Sequence, residues 1–188
     1  MGVRALLLQA GLPPCFWSYA APYYCLLENV SIDDDGKSAW QERHGTPFDG
    51  KAMPLGCGVF FKPAPTKYAV SKADARLQYG IFMGIRRAPG GHWNDEYLVC
   101  DLSDFAHADL SHKALARDYW YIHPHITKII ELDSRGVIFP LRERADYLNL
   151  TLSGAEEAAE SRWDVDGEEW QEESSALHTD GAPPVPIA

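Results

Sequence analysis

Residues 79–86 read YGIFMGIR, and the middle of the chain is a sheet or a helical layer according to how these eight residues are read. The run is short, rich in aromatic and β-branched residues, and set between polar stretches, which favours a strand over a helix. Four more runs share that character: Cys57–Lys62 (CGVFFK), Glu96–Asp101 (EYLVCD), Asp118–His123 (DYWYIH) and Thr127–Leu132 (TKIIEL). Gly, Pro, Asp or Asn bounds each, and Ala88–Gly91 and Asn94-Asp95 supply hairpin-like punctuation. Five such strands over residues 55–135 predict a small antiparallel barrel or sandwich.

Upstream, the period of two disappears. Residues 29–54 contain DDDG and HGTPFDGK and read as a connector, with one short helix over Ser38–Arg43 anchored by Trp40. Residues 1–28 read as two helices. VRALLLQA (3–10) is a run of strong helix formers stopped by Gly11, and Pro13 and Pro14 suit the entry to a second helix. Phe16, Ala20, Tyr23 and Leu27 recur on one stripe of that helix, and Pro22 inside it predicts a kink near Ser18–Ala21. Downstream, residues 136–152 read as an extension with room for a short helix. Residues 153–188 are Glu-, Ala-, Ser- and Pro-rich and predict a disordered acidic tail, with transient helix around Ala155–Trp163. The fold class is therefore α+β.

The charge is uneven. Of 27 acids in the 188-residue chain, ten fall in residues 153–188 against one base, Arg162, which leaves 17 acids facing 16 bases in residues 1–152. The formal net charge of −10 thus belongs mainly to the tail, and a nearly neutral body does not exclude a polyanionic partner. The tail reads either as a solvating extension or as a competitor with DNA for the basic loop. Four cysteines, Cys15, Cys25, Cys57 and Cys100, show no C-x-x-C spacing, which supports neither a zinc site nor a disulfide frame. With no signal-like opening and no long apolar run, the expectation is a soluble, intracellular chain with free thiols and no membrane partner.

Several stretches agree in order with a known family. Arg4-Ala-Leu-Leu-Leu-Gln-Ala-Gly-Leu-Pro-Pro-Cys-Phe-Trp17, then His44-Gly-Thr-Pro-Phe48 with Gly50-Lys51, then Gly56-Cys57, then Gly80-Ile-Phe-Met-Gly84, resemble the C-terminal part of the integrase in copia-type retrotransposon Pol polyproteins. The resemblance covers roughly residues 3–130. It implies that residues 1–28 match the end of a ribonuclease H-like core and that residues 55–135 form an SH3-like barrel. It implies DNA as partner, a part in DNA integration, and the nucleus as the place of action. The family's two aspartates and glutamate, which hold two divalent metals, match no acid in this chain, so the resemblance implies a non-catalytic fragment with no cofactor. The two helices then lack their usual neighbours; they fold onto the barrel, meet the rest of an integrase, or self-associate.

DNA contact falls to the bases between residues 62 and 87: Lys62, Lys67, Lys72, Arg76, Arg86 and Arg87, against one acid, Asp74. Such a set neutralises phosphates without reading sequence, and Tyr68 and Tyr79 are placed to stack on exposed bases. The alternative function is a host protein-interaction module whose barrel presents Tyr119, Trp120 and Tyr121 as a peptide groove. Other candidates are weaker. Asp33-Asp34-Asp35 before Gly36 reads as a solvated turn rather than a metal cluster. His107, His112, His123 and His125 complete no four-ligand spacing, and Ser103, Asp104 and His107 have no nucleophile elbow around them.

Overall fold

The computed structural model describes residues 2–34, 36–63 and 76–160. YGIFMGIR lies in a strand, β2 (Gln78–Arg87), flanked by β1 (Gly58–Phe61) and β3 (Trp93–Asp101). With β4 (His125–Thr127) and β5 (Ile130–Leu132) they form one antiparallel sheet in the order β4-β3-β2-β1-β5. Phe60 faces Tyr79 and Ile81 faces Cys100 across the ladder. The β2–β3 register slips between Phe82 and Gly84 and again between Ile85 and Arg87, irregularities that bend a sheet.

The bend has a consequence at the edges. β4 and β5 stand at opposite ends of the sheet order yet are joined by Lys128 and Ile129 alone. Laid flat, four inter-strand spacings would separate them by about 19 Å, whereas the three steps from Thr127 to Ile130 reach about 11 Å at most. The sheet therefore curls until its edges approach. Inside the curl the Phe61 ring on β1 lies 5.2 Å from the His125 ring on β4. Across the seam the Thr127 hydroxyl donates to the Lys62 carbonyl at 2.9 Å.

Two expected strands differ. Residues 118–123 are not a strand: Ala116–Tyr119 is a 3-10 turn, and the Ile122 amide closes back on the Tyr119 carbonyl at 3.0 Å. Tyr119 packs inward instead of laddering, its ring meeting Phe16, at the end of the turn that leads into the second helix, edge-on at 4.9 Å. The single strand expected over 127–132 is divided at Lys128-Ile129, because its two halves serve opposite edges of the sheet.

The helices at the start cover this sheet. α1 (Val3–Ala10) ends at Gly11, which is left-handed at φ 70°, with the Leu12 amide closing on the Leu7 carbonyl at 3.0 Å. Gly11 has a second reason to lack a side chain: a Cβ would stand 2.7 Å from the Cα of Arg142. A 3-10 turn over Pro14–Phe16 leads into α2 (Trp17–Val30), which runs on through Pro22. Phe16, Ala20, Tyr23 and Leu26 are buried while Leu27 is only partly so, shifting the end of the expected stripe by one residue. Tyr23 lies edge-on to Phe82 at 5.4 Å and donates its hydroxyl to the Met53 carbonyl. The apolar faces of α1 and α2 thus find their partner in the sheet, within one shared cluster of buried side chains.

Two further layers complete the packing. α3 (Ala39–His44) is capped by Ser38, whose hydroxyl accepts the Gln41 amide at 3.2 Å. From it Trp40, Phe48, Trp93 and Tyr97 run ring to ring at 5.1, 4.9 and 5.5 Å onto β3. α4 (Arg142–Leu150) sits against α1, and its Asn149 accepts the His112 amide at 2.7 Å and donates to the Leu110 carbonyl at 3.1 Å, pinning the long β3–β4 connection. Residues 152–160 are helical too, where disorder was expected from residue 153. Ala158 is buried and Glu157 pairs with Arg144, so this segment is held by tertiary contacts that composition does not reveal. The remainder of the acidic tail, 161–188, lies outside the described residues, as does Asp35.

Candidate nucleic-acid interface

Antiparallel order sorts the expected bases by the end of the sheet to which they belong. β1 ends, β2 begins, β3 ends and β4 begins on the same side, because Phe61 faces Gln78, Gly80 faces Asp101 and Val99 faces His125. Lys62 and Arg76, both exposed, therefore sit at this rim, one just after β1 and the other just before β2. Lys67 and Lys72, with Tyr68, come between these two in sequence and lie outside the described residues. Arg86 and Arg87 are at the opposite end of β2, about 30 Å away at the usual rise per residue. The structure does not bring the two pairs together. Arg86 is also engaged, its guanidinium 3.1 Å from the Glu96 carboxylate.

The curl adds a base that reading along the chain overlooks. The Lys62 amide donates to the Ile129 carbonyl at 3.3 Å, and the Lys62 carbonyl accepts the Thr127 hydroxyl, so exposed Lys128 stands beside Lys62 although it lies 66 positions further along the sequence. Nothing in the local pattern marks Lys128; only the meeting of the two edges does. Acids are present at this rim too. Asp101 is occupied with the Ser103 amide and hydroxyl at 3.0 and 2.9 Å, and exposed Glu131 faces Phe60 on β1. Lys51 reaches inward, its ammonium on the Ile130 carbonyl at 3.0 Å.

The aromatic candidates divide by burial. Tyr79 packs against Phe60 at 5.0 Å with its hydroxyl over Gly58, and burial raises its pKa, so its ring is committed to the sheet. Tyr119 is buried under Phe16 and donates its hydroxyl to the Asp109 carbonyl, which removes it from the expected peptide groove. Trp120 beside it is 76 % exposed.

The other candidates resolve into local structure. Asp33 accepts the Lys37 amide at 3.1 Å in a turn. The Ser103 hydroxyl is held by Asp101 rather than by a histidine. His125 is buried against Phe61, and among the described residues no three His, Cys, Asp or Glu side chains gather as metal ligands would. The four cysteines form no disulfide; Cys57 and Cys100 are buried, and burial pushes the Cys57 thiol up to about 11. Among the described residues no helix is long and apolar enough to cross a membrane. No protein-family model, curated protein or solved structure matches the chain.

Proposed function

We propose that the chain is a non-catalytic, DNA-contacting module of the kind found in the C-terminal part of copia-type retrotransposon integrases, with its curled sheet an SH3-like barrel acting in the nucleus. The observation that carries the reading is the rim to which the sheet's antiparallel order brings Lys62, Arg76 and Lys128. The order β4-β3-β2-β1-β5, with its two edges only two residues apart in the chain, supports the barrel. The work of such a rim is electrostatic: each ammonium or guanidinium laid on a phosphate releases condensed counterions, giving affinity without sequence preference. No bond-making step is assigned to any residue. The alternative, a peptide groove over residues 119–121, loses Tyr119 to the core.

The test is a salt titration of the full chain on a short fluorescent duplex. The logarithm of affinity is expected to fall with the logarithm of salt by about 0.9 per phosphate contact. Lys62→Ala and Lys128→Ala should each lower that slope by about 0.9, while Arg87→Ala, at the far end of β2, should leave it unchanged. Absence of duplex binding at low salt, or binding insensitive to salt, rejects the proposal.

A further inference from the structure

The tip of the β2–β3 hairpin meets the last turn of α3, and three side chains able to carry positive charge converge there. Gly90 and Gly91, left-handed at φ 85° and 84°, turn the chain between Ala88 and His92. The Arg43 guanidinium, from α3, donates to the Gly90 carbonyl at 3.1 Å, and a Cβ on Gly91 would stand 3.6 Å from it. Beside Arg43, the half-buried His44 ring touches two others: Trp40, one turn back on α3, at 4.2 Å, and His92, edge-on, at 5.1 Å. From the same contact Trp40 leads through Phe48 to Trp93 on β3.

The acids of the surrounding elements serve other groups. Asp49 and Asp95 act on the Tyr97 hydroxyl, Glu96 holds Arg86, Glu28 on α2 bonds Tyr24, and Asp33 closes its own turn on the Lys37 amide. Glu42 belongs to the first turn of α3, whereas Arg43 and His44 end it. Arg87, across the ladder from Trp93, adds a further cation to the hairpin. Partial desolvation first, then His92 and Arg43, lower the His44 pKa below its ordinary 6.5. A histidine whose pKa is lowered by folding supports the folded contact fully above about pH 6.5 and loses that support as pH falls below it. Protonation of both imidazoles sets like charges against each other with a guanidinium alongside.

We infer that the Arg43–His44–His92 contact is an acid-released latch, which holds α3 to the β2–β3 hairpin near neutral pH and lets it go in mildly acidic solution. The latch stands apart from the DNA-contacting reading, whose rim lies at the other end of β2. A helix of six residues does not persist without tertiary support, so the backbone bonds of α3 open when the contact does.

Amide hydrogen exchange followed by NMR on the full chain tests this with two reporters. The Gly45 amide bonds the Gln41 carbonyl at 2.8 Å at the end of α3, and the Phe82 amide bonds the Cys57 carbonyl at 2.9 Å in the sheet. From about pH 7.5 to about pH 5, protection of Gly45, corrected for intrinsic exchange, should fall about 3- to 10-fold while that of Phe82 stays level. His92→Gln, at an exposed position, should cut the fall to less than about twofold and bring the His44 imidazole titration back towards 6.5. Gly45 protection that does not change with pH overturns the inference, as does a fall shared equally by Phe82. An equal fall in His92→Gln, or a His44 midpoint that the substitution leaves in place, overturns it too. The wild-type comparison of the two amides decides the matter by itself should the variant fold poorly.

Discussion

Asp133 follows β5 and is almost fully buried, with both carboxylate oxygens engaged by Arg135. The Arg135 amide donates to it at 2.9 Å, Nε at 3.1 Å and the terminal guanidinium nitrogen at 2.8 Å. Those hydrogen bonds, from the side chain first and then the backbone, hold the Asp133 carboxyl down at about 2, below its ordinary 3.8. A carboxyl depressed in the folded state stabilises it fully above its unfolded pKa and loses that contribution as pH falls through the folded one. Urea midpoints of the wild type should therefore decline between about pH 4 and pH 2. Asp133→Asn, which cannot ionise, should start lower at neutral pH and flatten that part of the curve; parallel curves for the two proteins would contradict the assignment. Other single residues show how far spelling alone reaches. Gly11 is legible as a helix stop, and its φ of 70° agrees, but its closeness to Arg142 is not, since the two are 131 positions apart. Gly56 is similar: at φ 78° it lies where a Cβ would fall 2.2 Å from the Cβ of Ala10.

Elements are legible where local pattern and tertiary demand agree. α1 and β1 fall within the stretches expected for them, and α3 and β2 overrun theirs by no more than a single residue at either end, because a capped apolar helix or an aromatic run between turns has one good way to bury itself. β3 begins three residues early, at Trp93, and takes in Asn94-Asp95, expected as a turn, because Trp93 pairs with Arg87 across the ladder. Residues 118–123 fail this condition: Tyr119, which suits a strand, is used for packing against Phe16 in the turn that leads into α2, and Pro124 follows with no amide to donate. The segment 152–160 fails it in the other direction, being polar in composition yet held by the burial of Ala158 and the Arg144–Glu157 pair. α2 offers a direct test at this scale. Pro22 is exposed on a helix that continues past it to Val30, so it takes a backbone donor from the ladder and gives no packing in return. Pro22→Ala restores that donor, against a smaller loss from a freer unfolded chain. Chemical denaturation should show a gain of about 1–2 kcal/mol; a loss would mean that the ring sets the helix entry to the sheet.

At the scale of the whole molecule, the candidate site is a product of the sheet's curl rather than of any one stretch. Lys62 and Arg76 are near enough in sequence to be grouped on inspection, but Lys128 joins them only because the sheet curls, and Arg86 and Arg87 leave the group because a strand lies between. Curling in turn depends on what fills and covers the sheet. Leu6, Leu7, Ala10, Leu12, Phe16, Ala20, Tyr23 and Leu26 come from the first 26 residues, yet they belong to the same buried cluster as Phe61, Phe82, Val99 and Ile130. Removing residues 2–30 would strip cover from Phe82 and release Tyr119 from Phe16. Each large side chain newly exposed costs about 1.5–3 kcal/mol, and a few such losses consume the 5–15 kcal/mol that holds an ordinary domain together. A chain starting at residue 31 should therefore lack the cooperative thermal transition of the full chain, and with it steeply salt-dependent duplex binding. If that shortened chain melts cooperatively and binds with an undiminished salt slope, the sheet is self-sufficient and the helices are a cover it can do without.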